Sequence, residues 1–244
     1  GTANTTGGVN IAIGDGAYDA ADTESNNLAI GVNALGGAVA GGEFNVAIGN
    51  TSLDALTSGD YNTAVGYGAG TDLTSGERNT FIGHEAGKDC IGGGQNVAIG
   101  DNAGGGALST AAGRNIMIGR NAGAAVTSGD SSVYIGFEAG KLITIASDNV
   151  AIGTGALDAA VVERRNVAIG RNALSAHRTT ASTVNDTGNT AVGFYAGAII
   201  TTGSGNTAVG QNALATRLTT GSNNVGIGTG VNMNNSGNSN GIVI

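Results

Sequence analysis

A five-residue phrase, Asn-x-Ala-Ile/Val-Gly, recurs thirteen times along this chain of 244 residues. It begins at Asn10, Asn27, Asn45, Asn62, Asn79, Asn96, Asn115, Ser132 (serine in place of asparagine), Asn149, Asn166, Asn189, Asn206 and Asn224. The closing glycines, from Gly14 to Gly228, are spaced by 17 residues in most steps, by 18 or 19 in three, and by 23 in one. A short fixed period marks a solenoid, in which each repeat leans on its neighbours. The expected fold class is therefore all-β, a parallel β-solenoid of about 13 coils of ~17 residues, in a single segment covering residues 1–244. Thr6–Asn10 and Ser236–Asn240 both match the loop that leads into a coil, so each end is expected to fall within a repeat of a longer fibre.

Within one repeat, Asn96-Val97-Ala98-Ile99-Gly100 alternates as a strand does, placing Val97 and Ile99 on one face and Ala98 on the other. Position four is Ile or Val in all thirteen copies, which predicts that this branched face points into the coil. Position three is Ala in nine copies, with Phe81, Met117, Tyr134 and Gly226 as exceptions. A strand apolar on both faces is usually buried on both. The alanine face is therefore expected to pack on a second copy of the chain, and Phe81, Met117 and Tyr134 to mark places where the copies stand farther apart.

The repeat positions expected to carry the fold are Asn96, Ile99, Gly100 and Ala103 in one coil, and Asn62, Val65, Gly66 and Ala69 in another. The asparagines are expected to form a ladder of side-chain amides along the stack. Each closing glycine marks a bend or a close approach to another chain. The alanine three residues later predicts a second short strand, and Thr-Ser-Gly or Thr-Thr-Gly gives the return turn.

Composition agrees with a ladder that is hydrogen-bonded along its length. There are 46 glycines and no proline, the residue that removes a ladder donor. Net charge is −8, with twelve carboxylates and two bases in residues 1–110, and six and eight in 111–244. Neither half has the basic stripe of a nucleic-acid binder. The one cysteine, Cys90, has no intrachain partner and reads as a buried or incidental thiol. No apolar run approaches the ~20 residues of a membrane-spanning helix, so no membrane insertion is expected in this segment.

Two families carry similar residues. Asn-Val-Ala-Ile-Gly followed by an alanine resembles the head of trimeric autotransporter adhesins. The fuller unit Asn62-Thr-Ala-Val-Gly-Tyr-Gly-Ala-Gly70 with Leu73-Thr-Ser-Gly76 resembles repeats of phage tail fibres and related bacterial surface fibres. The resemblance covers essentially the whole chain. It implies a left-handed β-roll wound as a homotrimer, intertwined or side by side. It also implies an extracellular location, on a virion tail fibre or a bacterial cell surface, and a structural role in attachment. Self-association is the implied partnership, together with a host glycan or protein.

Residues arranged for chemistry are sparse, and neither an enzyme activity nor a cofactor nor a metal site is expected. His84 and His177 lie far apart in repeat number. Gly83–Lys88 and Gly136–Lys141 have three residues between their glycines where a phosphate loop needs four, and Asp89 and Leu142 stand where it needs Ser or Thr. The surface contacts expected are Tyr67, Phe137, Phe194 and Tyr195, as aromatics for stacking on sugars, with His177 and Arg178 in the longest loop, Ser175–Gly188. Two other functions fit a solenoid. One is a monomer binding an ordered surface such as ice through a threonine array, which Thr63, Thr80, Thr190 and Thr207 supply only in part. The other, a polysaccharide-degrading β-helix, needs clustered acids.

Overall fold

The computed structural model describes residues 7–19, 23–38, 41–110, 112–179 and 185–244. Thr6, and the 180–184 part of the longest loop, lie outside them. The fold is a parallel β-solenoid of about thirteen turns, with no helix among the described residues. It comprises two compact units, one formed by Gly1–Asn121 with Val126–Ser128, the other by Ala122–Ala125 with Gly129–Ile244. In the first, the strands Ile11–Ile13, Leu28–Ile30, Val46–Ile48, Thr63–Val65, Thr80–Ile82, Val97–Ile99 and Ile116–Ile118 pair in chain order. In the second, Val133–Ile135, Val150–Ile152, Val167–Ile169, Thr190–Val192, Thr207–Val209, Val225–Ile227 and Ile242–Val243 do the same. The register sets like on like, as in Ala29↔Ala47 and Ile169↔Val192.

From the second coil to the thirteenth, the two faces of each strand are the reverse of the sequence expectation, whereas all of Ile11–Ile13 in the first is exposed. Position three is the interior: Ala29, Ala47, Ala98, Ala151 and Ala168 are fully buried, and so are Phe81, Met117 and Tyr134. Positions two and four point outward. Val65, Val97 and Ile99 are only half-buried, and Ile82 is 38% exposed. The three large residues thus do not separate copies of the chain; they fill its core.

The reason lies in the width of the coil. Its interior is closed by the alanine column at position eight, which includes Ala69 and Ala103, by a residue at position nine, and by Leu56, Leu73, Leu108 or Ile143 further on, all buried. Positions three and nine share a fixed space with those of the neighbouring coils: Ala64 and Ala98 stand with Gly70 and Gly104, where a Cβ would come within 2.8 Å of Phe81 and of Met117 in the next coil. Where position three is Ala29, Ala47, Ala151 or Ala168, position nine is the buried Leu35, Leu53, Leu157 or Leu174. Where it is Phe81, Met117 or Tyr134, position nine is Gly87, Gly123 or Gly140. A Cβ on Gly140 would stand 2.4 Å from the Tyr134 ring, and one on Gly87 2.6 Å from Phe81. This large-for-small exchange keeps the interior at native density, and an outward position three would have no need of it.

The closing glycines meet two demands. Gly49 has φ +132°, and a Cβ there would lie 2.3 Å from the carbonyl oxygen of Gly66 in the next coil. The close approach is to the same chain. The alanine-containing segment that follows forms turns, not the second strand expected. Left-handed residues repeat through it, such as Asn102 (φ 52°) and Leu53 (φ 49°). Non-glycine residues adopt this conformation when the surroundings hold them there. Here the ladder does so: Leu53 N donates to Ala69 O at 3.0 Å, one coil on.

The asparagine ladder is present and does more than stack. Asn62 N donates to Asn45 Oδ1 at 2.9 Å, and Asn79 N to Asn62 Oδ1 at 3.0 Å. Each Nδ2 also reaches across the coil to a return-loop carbonyl, Asn62 to Gly76 O and Asn79 to Gly93 O, at 2.9 and 2.8 Å. One buried amide per coil therefore satisfies the strand entry below it and fastens the loop that closes its own turn.

Candidate functional site

Positions two and four of successive strands form two parallel columns on the outer face of the sheet. They carry Leu28, Val46, Thr63, Thr80 and Val97 in one column, and Ile30, Ile48, Val65, Ile82 and Ile99 in the other. Branched residues favour strands because they pack well on a pleated surface, and here that same preference lays a flat apolar band on the exterior.

Exposed rows flank the band. Immediately before the ladder asparagines stand Phe44, Tyr61 and Arg78. The Phe44 and Tyr61 rings stack at 5.0 Å with planes 3° apart, and the Arg78 guanidinium lies 5.5 Å from the Tyr61 centroid. Immediately after the glycines stand Tyr67, His84, Asp101 and Arg120. Tyr67 stacks on His84 at 5.6 Å, His84 Nδ1 lies 3.0 Å from Asp101, and Arg120 Nε lies 3.4 Å from Asp101. In the second unit Phe194 meets Tyr195 edge-on at 4.5 Å, with Arg171 5.9 Å from the Phe194 ring.

Of the expected surface residues, Tyr67, Phe137 and Phe194 are exposed, as is Arg178, whereas Tyr195 is half-buried. Phe44 and Tyr61 were not singled out by sequence. Their signal was available: both occupy the position before a ladder asparagine, one coil apart.

His177 is not a surface residue. It is fully buried, eleven residues after Asn166, where other coils place Leu56, Leu73, Ile143 or Ile200. The equivalence extends to the backbone, since His177 N donates to Leu174 O as Leu56 N does to Leu53 O. Asn189 Nδ2 lies 3.3 Å from His177 Nε2, which makes that nitrogen the acceptor, and Nδ1 has no hydrogen-bond partner among the described residues. Burial lowers the His177 pKa; the Glu163 charge and neighbouring backbone offset this only in part.

Glu163 is also fully buried and went unnoticed in the sequence. Its carboxylate accepts from Val161 N at 2.6 Å, Val162 N at 2.9 Å and Thr179 Oγ1 at 2.8 Å, and from Thr179 N. Burial alone would push its carboxyl up, but the donors of Thr179 and Val161 hold it below the ordinary carboxylate value. Glu24 repeats the device, accepting from Thr23 Oγ1 at 3.0 Å and Gly41 N at 2.8 Å. Each glutamate sits fourteen residues after a ladder residue (Asn10 and Asn149), where most coils have glycine, and each lies next to a lengthened coil. Their role is to hold a longer loop.

Cys90 occupies the same interior column as His177, fully buried, and burial pushes its thiol up to about 12. Among the described residues, no three His, Cys, Asp or Glu side chains converge as metal ligands, and no helix is long and apolar enough to cross a membrane. The sequence matches no protein-family model and no curated protein.

Proposed function

We propose that this chain is the shaft or head of an extracellular fibre, non-enzymatic, that assembles as a homotrimer and serves attachment to a host or a surface. One observation carries the reading: the double column of half-exposed Ile, Val, Leu and Thr on the outer face of the strands in each unit. Apolar bands of this regularity mark interaction surfaces, and a homo-oligomer buries the same band on every copy. The interface therefore differs from the one the sequence suggested, with branched residues in place of alanines. The similarity of the repeat to tail-fibre and trimeric-adhesin repeats points the same way, to a virion or a bacterial cell surface.

Light scattering and sedimentation of the purified chain test it. A trimer is expected, falling to a monomer with unchanged circular dichroism when Ile48→Glu and Ile99→Glu are introduced together. A folded wild-type monomer at every concentration reached would sink the fibre reading. That outcome would favour a second one: the outward Thr, Val and Ile columns also make a flat, regular array suited to an ordered surface such as ice, measurable as thermal hysteresis.

A further inference from the structure

We propose that a recess over Gly92 and Gly94 binds one ring of a neutral oligosaccharide. The recess has a volume of about 310 Å³ and is lined by the side chains of Ser75, Glu77, Gln95, Thr110 and Arg114. That volume is at the small end of ligand sites, which run from about 300 to 1,000 Å³. It suits a single sugar ring with its neighbours outside.

The recess exists because two surface columns lose their side chains at one place. Gly94 follows Glu43, Asp60 and Glu77 in the position two before the ladder asparagine, and Gly92 follows Ser58 and Ser75 in the position four before it. Neither glycine is demanded by the backbone, since neither has a positive φ. At Gly94 a Cβ would meet the Glu77 backbone, O at 3.2 Å and N at 3.7 Å, so that this carbonyl must give by a few tenths of an ångström, and at Gly92 it would meet the methyl of Thr110 at 2.7 Å, the end of a side chain that can turn away. The ladder continues beneath, with Gln95 N donating to Glu77 O at 2.9 Å and Gly94 bridging Gly113. The fold thus tolerates side chains here, and their absence opens the surface.

The lining fits hydroxyl recognition. Ser75 and Thr110 donate and accept, Gln95 does both through its amide, Glu77, paired with Arg78 through Oε2, accepts through its other oxygen, and Arg114 donates. A ring of vicinal hydroxyls needs such mixed partners. Glu77 is the only carboxylate in the lining. Glycoside hydrolysis uses two, so the site binds without cleaving. The same row that carries Gln95 and Arg114 carries Tyr61 and Arg78, and Tyr61 is 50% exposed on its stack with Phe44. Successive members of the row are about 4.8 Å apart. Tyr61 stands in this row between Phe44, whose ring stacks on it, and the Arg78 guanidinium over its ring, so it offers the next ring of the same chain its edge, two rungs from the recess. Residues 1–110 hold twelve carboxylates against two bases, which disfavours an anionic saccharide.

This deepens the attachment reading by naming its ligand class, and it is tested apart from self-association. Titration calorimetry on the intact chain with cellotetraose and with the β1,4-linked N-acetylglucosamine tetramer is expected to give binding at about 1 mM or tighter for at least one. Gly92→Ser with Gly94→Glu restores residues these columns carry elsewhere and is expected to weaken binding at least ~10-fold. No binding of either probe, equal binding by the filled recess, or tighter binding of a tetragalacturonate would each overturn the proposal. A trimer blind to both saccharides removes the recess and leaves the fibre; a monomer that binds one of them does the reverse.

Discussion

Residues 90–95 and 177–188 follow the same turn of the repeat, after the fifth and tenth coils, and depart from it in opposite ways. The first loses side chains: Cys90 stands in the interior column and Gly92 and Gly94 open the surface above it. The second gains them: His177 stands in the same column, six residues are added to the usual 17-residue step, and a buried Glu163 is recruited to hold the extended loop. The interior change in the second region is matched by a carboxylate that accepts from three backbone N–H groups and a hydroxyl. The surface change in the first is matched by nothing. A departure inside the coil is costly where a buried polar group lacks a partner, as His177 Nδ1 does among the described residues. One on the outside need not be, which is why the glycine recess, and not the histidine, reads as the place that meets a ligand.

The largest expected effect tests the compensated region. Glu163→Ala leaves the buried N–H of Val162 and the half-buried N–H groups of Val161 and Thr179 without their acceptor, and should cost about 4 kcal/mol by chemical denaturation. An effect below about 1 kcal/mol would mean that water takes over the carboxylate's role. An apolar version of the same rule follows in the fifth coil. Phe81→Ala should cost about 3 kcal/mol, and adding Gly87→Leu, the pairing used at Ala47 and Leu53, should restore at least half of it. Failure of the double variant to recover would show that the two positions do not share one space.

His177 gives a smaller effect with a definite sign. Its folded pKa lies below the ordinary 6.5, so the folded state binds fewer protons than the unfolded one between the two values. The contribution of the neutral ring is complete above pH 6.5 and is lost as pH falls from there through the folded pKa. Glu163, also depressed, adds a loss only below its ordinary 4.5. Denaturation midpoints should therefore decline on acidification first through the histidine window. His177→Leu, the residue of the column at Leu56 and Leu73, should abolish that decline and add about 1 kcal/mol at neutral pH by removing the unpaired Nδ1. The smallest effect belongs to the open region: Gly92→Ser with Gly94→Glu should shift stability by no more than about 0.5 kcal/mol. Cys90, in the same stretch, should resist alkylation until the chain unfolds.

Much of this was legible in the residues. The period, the parallel in-register stacking, the asparagine ladder and the glycine bends all follow from a phrase repeated every 17 residues, because stacked coils can satisfy a backbone only if like sits on like. The exposed Tyr67, Phe137 and Phe194 were legible too, since the pair after each glycine varies freely. Glu163 was hidden because a single glutamate in a variable loop looks like any solvated charge, and its burial rests on the donors that Val161, Val162 and Thr179 bring to it. His177 was misplaced because counting from its own asparagine, not from the long step around it, is what locates it.

The sequence by itself determined that the chain must coil, with what period, and that each strand has two apolar faces. Only the tertiary structure decided which face is inside. Alternation defines two sides without naming either, and the larger side chains were the natural choice for the core. Where position nine is leucine it already fills the space that position three faces, and where position three is phenylalanine, methionine or tyrosine a glycine answers it in the same coil, so the branched residues are left outside to form the surface on which the proposed assembly rests.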